Sequence, residues 1–133
     1  MAGAQCQCGQ LRLTVGESPG SVVACHCLAC QRRSGSPFGV IAYYPVEAVR
    51  IEGEGTAYER ETDEGNRFTN VFCPRCGSTL FVRAGKHPQL IGVPVGAFAD
   101  PAFPPPARSV WEISRHSWVA LPDGIAHFPR GRG

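Results

Sequence analysis

Apolar and polar residues alternate at Leu11, Leu13 and Val15, the period of two expected of a strand with one buried face. The β-branched and aromatic run FGVIAYY at 38–44 predicts a second strand. RFTNVF at 67–72 and STLFV at 78–82 predict the arms of a hairpin, with Cys73 and Cys76 between them. DEGN at 63–66 reads as a turn. LIGVPV at 90–95 reads as a further strand, in which Pro94 marks an edge or a strand end. FPPPA at 103–107 is an extended connector. Residues 107–121 form the longest stretch without glycine or proline, and periodicity leaves a strand pair and a short helix both open there. Sixteen glycines and 12 prolines, scattered over 133 residues, suit short strands and turns better than helices. The chain therefore reads as mainly β and as a single domain over residues 1–133, with no repeat and no dividing linker.

Hydrophobic residues make up 43% of the chain, enough for an ordinary core. The formal net charge of +2 is too small for the counterion displacement that nucleic-acid binding relies on, so nucleic acid is not expected as a partner. The tail PRGRG reads as a frayed terminus. No apolar run approaches the ~20 residues of a membrane span. The opening MAGAQCQCGQ has neither the basic nor the apolar region of a signal peptide. The expectation is a soluble, cytoplasmic protein with no membrane partner.

Seven cysteines change this plain picture. An odd number cannot all pair as disulfides, and a reducing compartment favours metal. They fall into three groups: Cys6-x-Cys8, Cys25-x-Cys27-x-x-Cys30 and Cys73-x-x-Cys76. CPRCGS is the signature of a zinc knuckle, with two sulfurs converging on one ion and a glycine permitting the left-handed turn. A redox pair is the lesser reading, because other cysteines compete to complete the shell. On an extended segment Cys6 and Cys8 would point to one side and supply the two missing ligands. That gives a closed, structural zinc on Cys6, Cys8, Cys73 and Cys76.

The same strand logic puts Cys25 and Cys27 on one face and His26 on the other, with Cys30 closing onto the same ion after a turn. Three protein ligands and an open fourth position are the form of a catalytic zinc. A histidine such as His87, His116 or His127 could instead close the site, and spacing alone leaves the two arrangements level. His26 is aimed away and reads as a packing or supporting residue.

The motifs CQCG, CHCLACQRRSGSPF and FCPRCGSTLF together resemble the glutathione-dependent formaldehyde-activating enzyme family, which includes the centromere-protein-V-like proteins. VPVGAFADP and SWVALPDGIAHFPRG are similar to its later segments, so the resemblance covers residues 5–128. It implies a mainly β fold of several coiled antiparallel sheets, like that of the Mss-type Rab chaperones, around two Zn²⁺ per chain. It implies that Cys6, Cys8, Cys73 and Cys76 hold the structural zinc. It also implies that Cys25, Cys27 and Cys30 hold the zinc associated with activity, and it favours the open form of that site. The activity implied is carbon–sulfur lyase chemistry of the S-(hydroxymethyl)glutathione synthase type, with a small-molecule thiol and an aldehyde as partners.

A zinc with three thiolates suits a soft thiolate in its fourth position better than an activated water. The expected chemistry is addition of a thiol such as glutathione to a small aldehyde, or the reverse cleavage. Arg32 and Arg33 follow Cys30 closely and are candidates to bind a substrate carboxylate, although each reads equally well as a solvated surface arginine. Trp111 and Trp118 are candidate pocket walls or core residues. The alternative from another functional class is a non-catalytic, zinc-stabilised binding module in which both metals are structural.

Overall fold

Residues 2–131 are described by the structure, a computed structural model. Among them are eleven short strands, one helix and three 3-10 turns. Strands β1 (Ala2–Gln5), β2 (Arg12–Val15) and β5 (Val49–Glu52) form a small antiparallel sheet in the order β1-β2-β5. The alternation at Leu11, Leu13 and Val15 is realised, with all three side chains buried and Arg12 exposed between them.

The larger sheet holds β3 (Ser21–Cys25), β4 (Gly39–Pro45), β6 (Thr56–Glu61), β7 (Arg67–Phe72), β8 (Thr79–Ala84), β9 (Leu90–Pro94), β10 (Arg108–Val110) and β11 (Ala126–His127). Its order is β11-β10-β3-β4-β9-β8-β7-β6. The fold is thus mainly β, as expected, and antiparallel except where β10 runs parallel to both β3 and β11. The helix α1 (Leu28–Ser34) connects β3 to β4 and ends at Gly35, whose φ of 70° supplies the left-handed cap.

The main core lies between the two sheets. Ala4, Leu13 and Val15 of the small sheet meet Val22, Ala42, Tyr44, Phe81, Ile91 and Val93 of the large one, with Phe98 stacked on Phe103 beside them. Phe68–Ala84 and Asn70–Val82 pairings confirm the hairpin expected around Cys73 and Cys76. Pro94 is the last residue of β9, so the missing N–H marks a strand end; β9 itself is central, between β4 and β8.

Residues 107–121 are neither a strand pair nor a helix. The short strand β10 stops at Trp111, which adopts φ 58°, and a 3-10 turn, Glu112–Ser114, follows. The reason is tertiary. The N–H groups of Trp111, Glu112 and Ile113 donate to the carbonyls of Arg130, Phe128 and Pro129 at 3.0–3.1 Å. The same bonds dock the tail as far as Arg130, contrary to the frayed terminus expected of PRGRG; Arg132 and Gly133 lie outside the described residues.

Gly53 follows β5 at φ 99°, where a Cβ would collide with the backbone of Gln10 and Leu11. Gly65, at φ 81° in the β6–β7 turn, has open space around it. Gly65→Ala should cost only the left-handed strain, about 1–2 kcal/mol. Gly53→Ala should cost clearly more, because Gln10 must move as well. Urea-denaturation midpoints check the ranking, and equal losses would contradict it.

Candidate metal centres

Two knuckles bring four sulfurs together. After β1 the chain turns at once, with Gly9 N donating to the Cys6 carbonyl at 3.1 Å and Gly9 at φ 85°. After β7 the second knuckle repeats the device, with Gly77 N donating to the Cys73 carbonyl at 2.8 Å and Gly77 at φ 80°. Cys6 N and Cys73 N close the two loops onto Leu11 O and Ser78 O at 2.9 and 3.0 Å. Cys6 and Cys8 therefore lie in a turn, not on the extended segment expected from their spacing. Their sulfurs still converge, because β1 ends at Gln5 and the turn folds both toward the hairpin.

The ligand atoms of Cys6, Cys8, Cys73 and Cys76 all lie within 4.8 Å of one another, so the group could hold a metal ion. Cys8 Sγ is 3.7 Å from both Cys6 Sγ and Cys73 Sγ. Two sulfurs on a tetrahedral zinc, at bonds of ~2.3 Å, stand about 3.8 Å apart, so the spacing fits. Donors converge on the thiolates. Gln10 Nε2 and Arg75 N reach Cys73 Sγ at 3.1 and 3.3 Å, and Leu11 N reaches Cys6 Sγ at 3.4 Å. Burial alone would raise the Cys73 thiol, but these hydrogen bonds bring it below its ordinary value. Hydrogen bonding with the Ser78 side chain and backbone holds Cys76 down to about 5.

The second group is built differently. β3 ends at Cys25, and Cys27 caps α1, its sulfur accepting from Cys30 N at 3.3 Å. Cys25 and Cys27 thus do not share a strand, as the alternation argument required; the chain leaves the sheet between them. A cap and a helical turn bring the sulfurs together instead. The three lie within 4.8 Å of one another, and no ligand atom of a histidine, aspartate or glutamate among the described residues joins them. Hydrogen bonds from the Cys25 and Cys30 thiols hold Cys27 down to about 2. The Cys25 thiol is correspondingly pushed up by its bond to Cys27.

The histidines take other places. His26 is fully buried, stacked on Phe38 with ring centroids 5.4 Å apart, and its Nε2 lies 2.9 Å from Ser109 Oγ. Burial holds its pKa below the ordinary value. Its carbonyl accepts from Ser114 Oγ at 2.8 Å and Gln31 Nε2 at 3.0 Å, which fixes the start of α1 against the Glu112–Ser114 turn. His116 Nε2 is 3.2 Å from Gln31 Oε1, and His127 Nδ1 is 2.7 Å from Glu112 Oε2. Burial would raise Glu112, but bonds with Ser109 and His127 and the charge of Arg115 hold it below the usual carboxylate range. His26, His87, His116 and His127 are all outside the three-sulfur group.

A family model described as glutathione-dependent formaldehyde-activating enzyme matches residues 1–114, which include all seven cysteines. The chain belongs to this family. The match ends before the segment SWVALPDGIAHFPRG, which the sequence resemblance also took in. A crystal structure of a Rhodobacter sphaeroides protein, a structural-genomics target, shares the fold with a TM-score of 0.59. It is 20% identical, and the likeness covers 95% of this chain and 98% of that one. No curated protein matches the chain. Among the described residues no helix is long and apolar enough to cross a membrane.

Within this family member, the surroundings of the three-sulfur group are cationic. The Arg33 guanidinium lies on the backbone of Gly39, where an added Cβ would meet Arg33 Nη2 at 2.6 Å and Cys30 Cβ at 3.7 Å. Its charge favours the Cys30 thiolate, and that of Arg60 favours Cys27. Arg32 is exposed. Tyr43, largely shielded, is pushed up to about 12, first by burial and then by the charges of Cys30 and Cys25, with Arg108 and Arg33 opposing. Of the two arginines singled out by sequence, only Arg33 is seen to act on a sulfur. Tyr43, Arg60 and Arg108 were missed, because only the pairing of β3 with β4 and with β10, and the course of β6, bring them near. Trp118 is 71% exposed and edge-on to His116, so it is no core residue. Trp111 is half-buried beside the docked tail.

The two groups should differ in what their loss does. The first joins segments 65 residues apart, whereas the second lies within one short stretch. A structural zinc contributes on the order of 10 kcal/mol of apparent folding free energy, against about 5–15 kcal/mol net for a domain. Cys76→Ser should therefore unfold the protein, and Cys30→Ser should leave a cooperative melt at a lower temperature. Equal damage in thermal melts would refute the division.

Proposed function

We propose that the chain joins a small-molecule thiol to a small aldehyde, or cleaves the adduct, at Cys25, Cys27 and Cys30. The observation that carries this reading is three convergent sulfurs that no histidine, aspartate, glutamate or further cysteine ligand atom among the described residues joins, in a chain of this family. Zinc fits both donor sets, because thiolates are its soft ligands. Cys6, Cys8, Cys73 and Cys76 would hold a structural ion, and Cys25, Cys27 and Cys30 the second. Bound there, zinc supplies a position that takes a thiol sulfur in its ionised, nucleophilic form.

The chain's own residues do the rest. Arg33 and Arg60 supply positive potential that offsets the thiolates and favours an incoming anionic thiol. Tyr43 stays un-ionised at neutral pH and serves as a hydrogen-bond donor to the aldehyde oxygen. In the addition a sulfur–carbon bond forms, the carbonyl π pair moves to oxygen, and that oxygen takes up the proton the thiol gave up. Glutathione and formaldehyde are the pair the family suggests.

Cobalt in place of zinc tests the site, since its thiolate bands report the ligand set. Titration with mercaptoethanol and with glutathione should each shift the spectrum saturably. Arg33→Ala should weaken glutathione binding by about 1.5–3 kcal/mol if the guanidinium bonds a carboxylate, and the exposed Arg32→Ala should leave it nearly unchanged. A spectrum indifferent to every thiol would overturn the enzyme reading in favour of a binding module with two structural metals.

A further inference from the structure

The large sheet ends in an open edge. β6 is its last strand, paired with β7 on one side only, and Thr56, Ala57, Tyr58, Glu59 and Glu61 are all exposed along it. Strand pairing links this edge to the three-sulfur group: Ser21 lies opposite Tyr43, Tyr43 opposite Gly92, Gly92 opposite Val82, Val82 opposite Asn70 and Asn70 opposite Tyr58. Paired residues share a face, and so do residues two apart on a strand, so Cys25, Tyr43, Asn70, Tyr58 and Arg60 all stand on the face away from the main core. Tyr58, at the rim, is 58% exposed.

The hairpin fixes which backbone groups this edge presents. Thr62 N donates to Asn66 O at 2.7 Å, so these two form a hydrogen-bonded pair. Such pairs alternate along an antiparallel ladder, which makes Arg60–Phe68, Tyr58–Asn70 and Thr56–Phe72 hydrogen-bonded pairs as well. The N–H and C=O groups of Ala57, Glu59 and Glu61 therefore point away from β7. Gly85 N, donating to Arg67 O at 2.7 Å from the β8 side, agrees with this alternation.

Native edges are blunted by proline, by bulges or by charge. β6 reads TAYERE, without proline, and its register with β7 is unbroken from Thr56 to Glu61. Charge is left as the guard, and it is selective. An antiparallel copy of β6 centred on Glu59 or Glu61 sets a glutamate against itself. One centred on Arg60 sets arginine against arginine and Glu59 against Glu61. Like charges directly opposite are destabilising. Centred on Tyr58, the same strand meets no like charge: Ala57 lies opposite Glu59, and Thr56 opposite Arg60. A centre at Ala57 would pair only Thr56–Tyr58, whereas the Tyr58 centre pairs all of Thr56–Arg60.

We propose that β6 is a homodimer interface, pairing antiparallel with β6 of a second copy of this chain about a two-fold axis at Tyr58. Ala57 and Glu59 exchange backbone hydrogen bonds on both sides of the axis. Tyr58 meets its counterpart at a non-hydrogen-bonded position, where side chains stand closest. The contact is isologous and closes at two copies. The two large sheets become one, with both three-sulfur groups on the same face. Arg60 lies two residues from the axis, its Cζ 4.7 Å from the centroid of the Phe68 ring and its charge favouring the Cys27 thiolate. The interface thus borders the candidate site of each copy.

Sedimentation equilibrium of the zinc-loaded full chain, under reductant, tests this. The mass should rise from 14.3 kDa towards twice that value as concentration increases. Tyr58→Lys sets two cations against each other at the axis and should raise the dissociation constant about tenfold or more, whereas Tyr58→Phe should keep the dimer. Ala57→Pro removes an N–H that β7 does not use, so it should abolish the dimer while the protein still melts cooperatively. A monomer at every concentration, a dimer indifferent to Tyr58→Lys, or a dimer that survives in folded Ala57→Pro would each overturn the proposal. If Ala57→Pro does not fold, Tyr58→Lys decides alone.

Discussion

Sulfur atoms 3.7 Å apart set the terms for this fold. Two thiolates at that distance repel by about 4 kcal/mol even at an effective dielectric of ~20. A group of three or four can therefore exist as thiols sharing one charge, or as thiolates around a cation, but not as bare thiolates. The first group makes that choice matter for the whole chain. It joins the turn after β1 to the turn after β7, and so sets the small sheet on the large one. Leu11 buries its side chain in the core and donates its N–H to Cys6 Sγ, so packing and sulfur geometry meet in one residue.

The large sheet divides its labour between faces. One is sealed by the small sheet and is apolar. The other carries Cys25, Tyr43, Asn70 and Arg60, with only a few buried aliphatic residues such as Val23, Ile41 and Val82 among them. Strand alternation makes this division cheap in sequence: Tyr43 and Tyr44 are neighbours, yet Tyr44 is buried in the main core and Tyr43 looks toward the cysteines. The His26–Ser109 contact and the bonds from Ser114 and Gln31 to the His26 carbonyl then hold the start of α1 where its cap places Cys27 beside Cys25.

Local chemistry was legible in the sequence, and distant pairing was not. The knuckle at Cys73 and Cys76, the hairpin around it, the strand at Leu13 and Val15, and the strand end at Pro94 each follow from a short pattern with a local cause. The grouping of cysteines into four and three was legible too, because the spacings leave few alternatives. The local geometry behind it was misread twice, at Cys6–Cys8 and at Cys25–Cys27, since i and i+2 sulfurs can converge from a turn or a cap as well as from a strand. Trp111 defeated periodicity because the tail, some twenty residues on, claims its N–H. Arg60 and Asn70 were invisible for a stronger reason. Their relation to Cys25 runs through four consecutive strand registers for Asn70 and five for Arg60, and none of these is written in any one segment.

The unequal reach of the two sulfur groups also bears on how the chain is made. The three-sulfur group is complete once Cys30 has left the ribosome, whereas the four-sulfur group must wait for Cys76. At about 5–20 residues per second those events are roughly 2–9 seconds apart. During that interval the nascent chain exposes Cys6 and Cys8 without their partners, next to a finished group of three. Competition of the two unpaired sulfurs for the ion of the finished group is the hazard this order creates. The helical cap that gathers Cys25, Cys27 and Cys30 from a stretch of six residues is the feature that lets them find one another first.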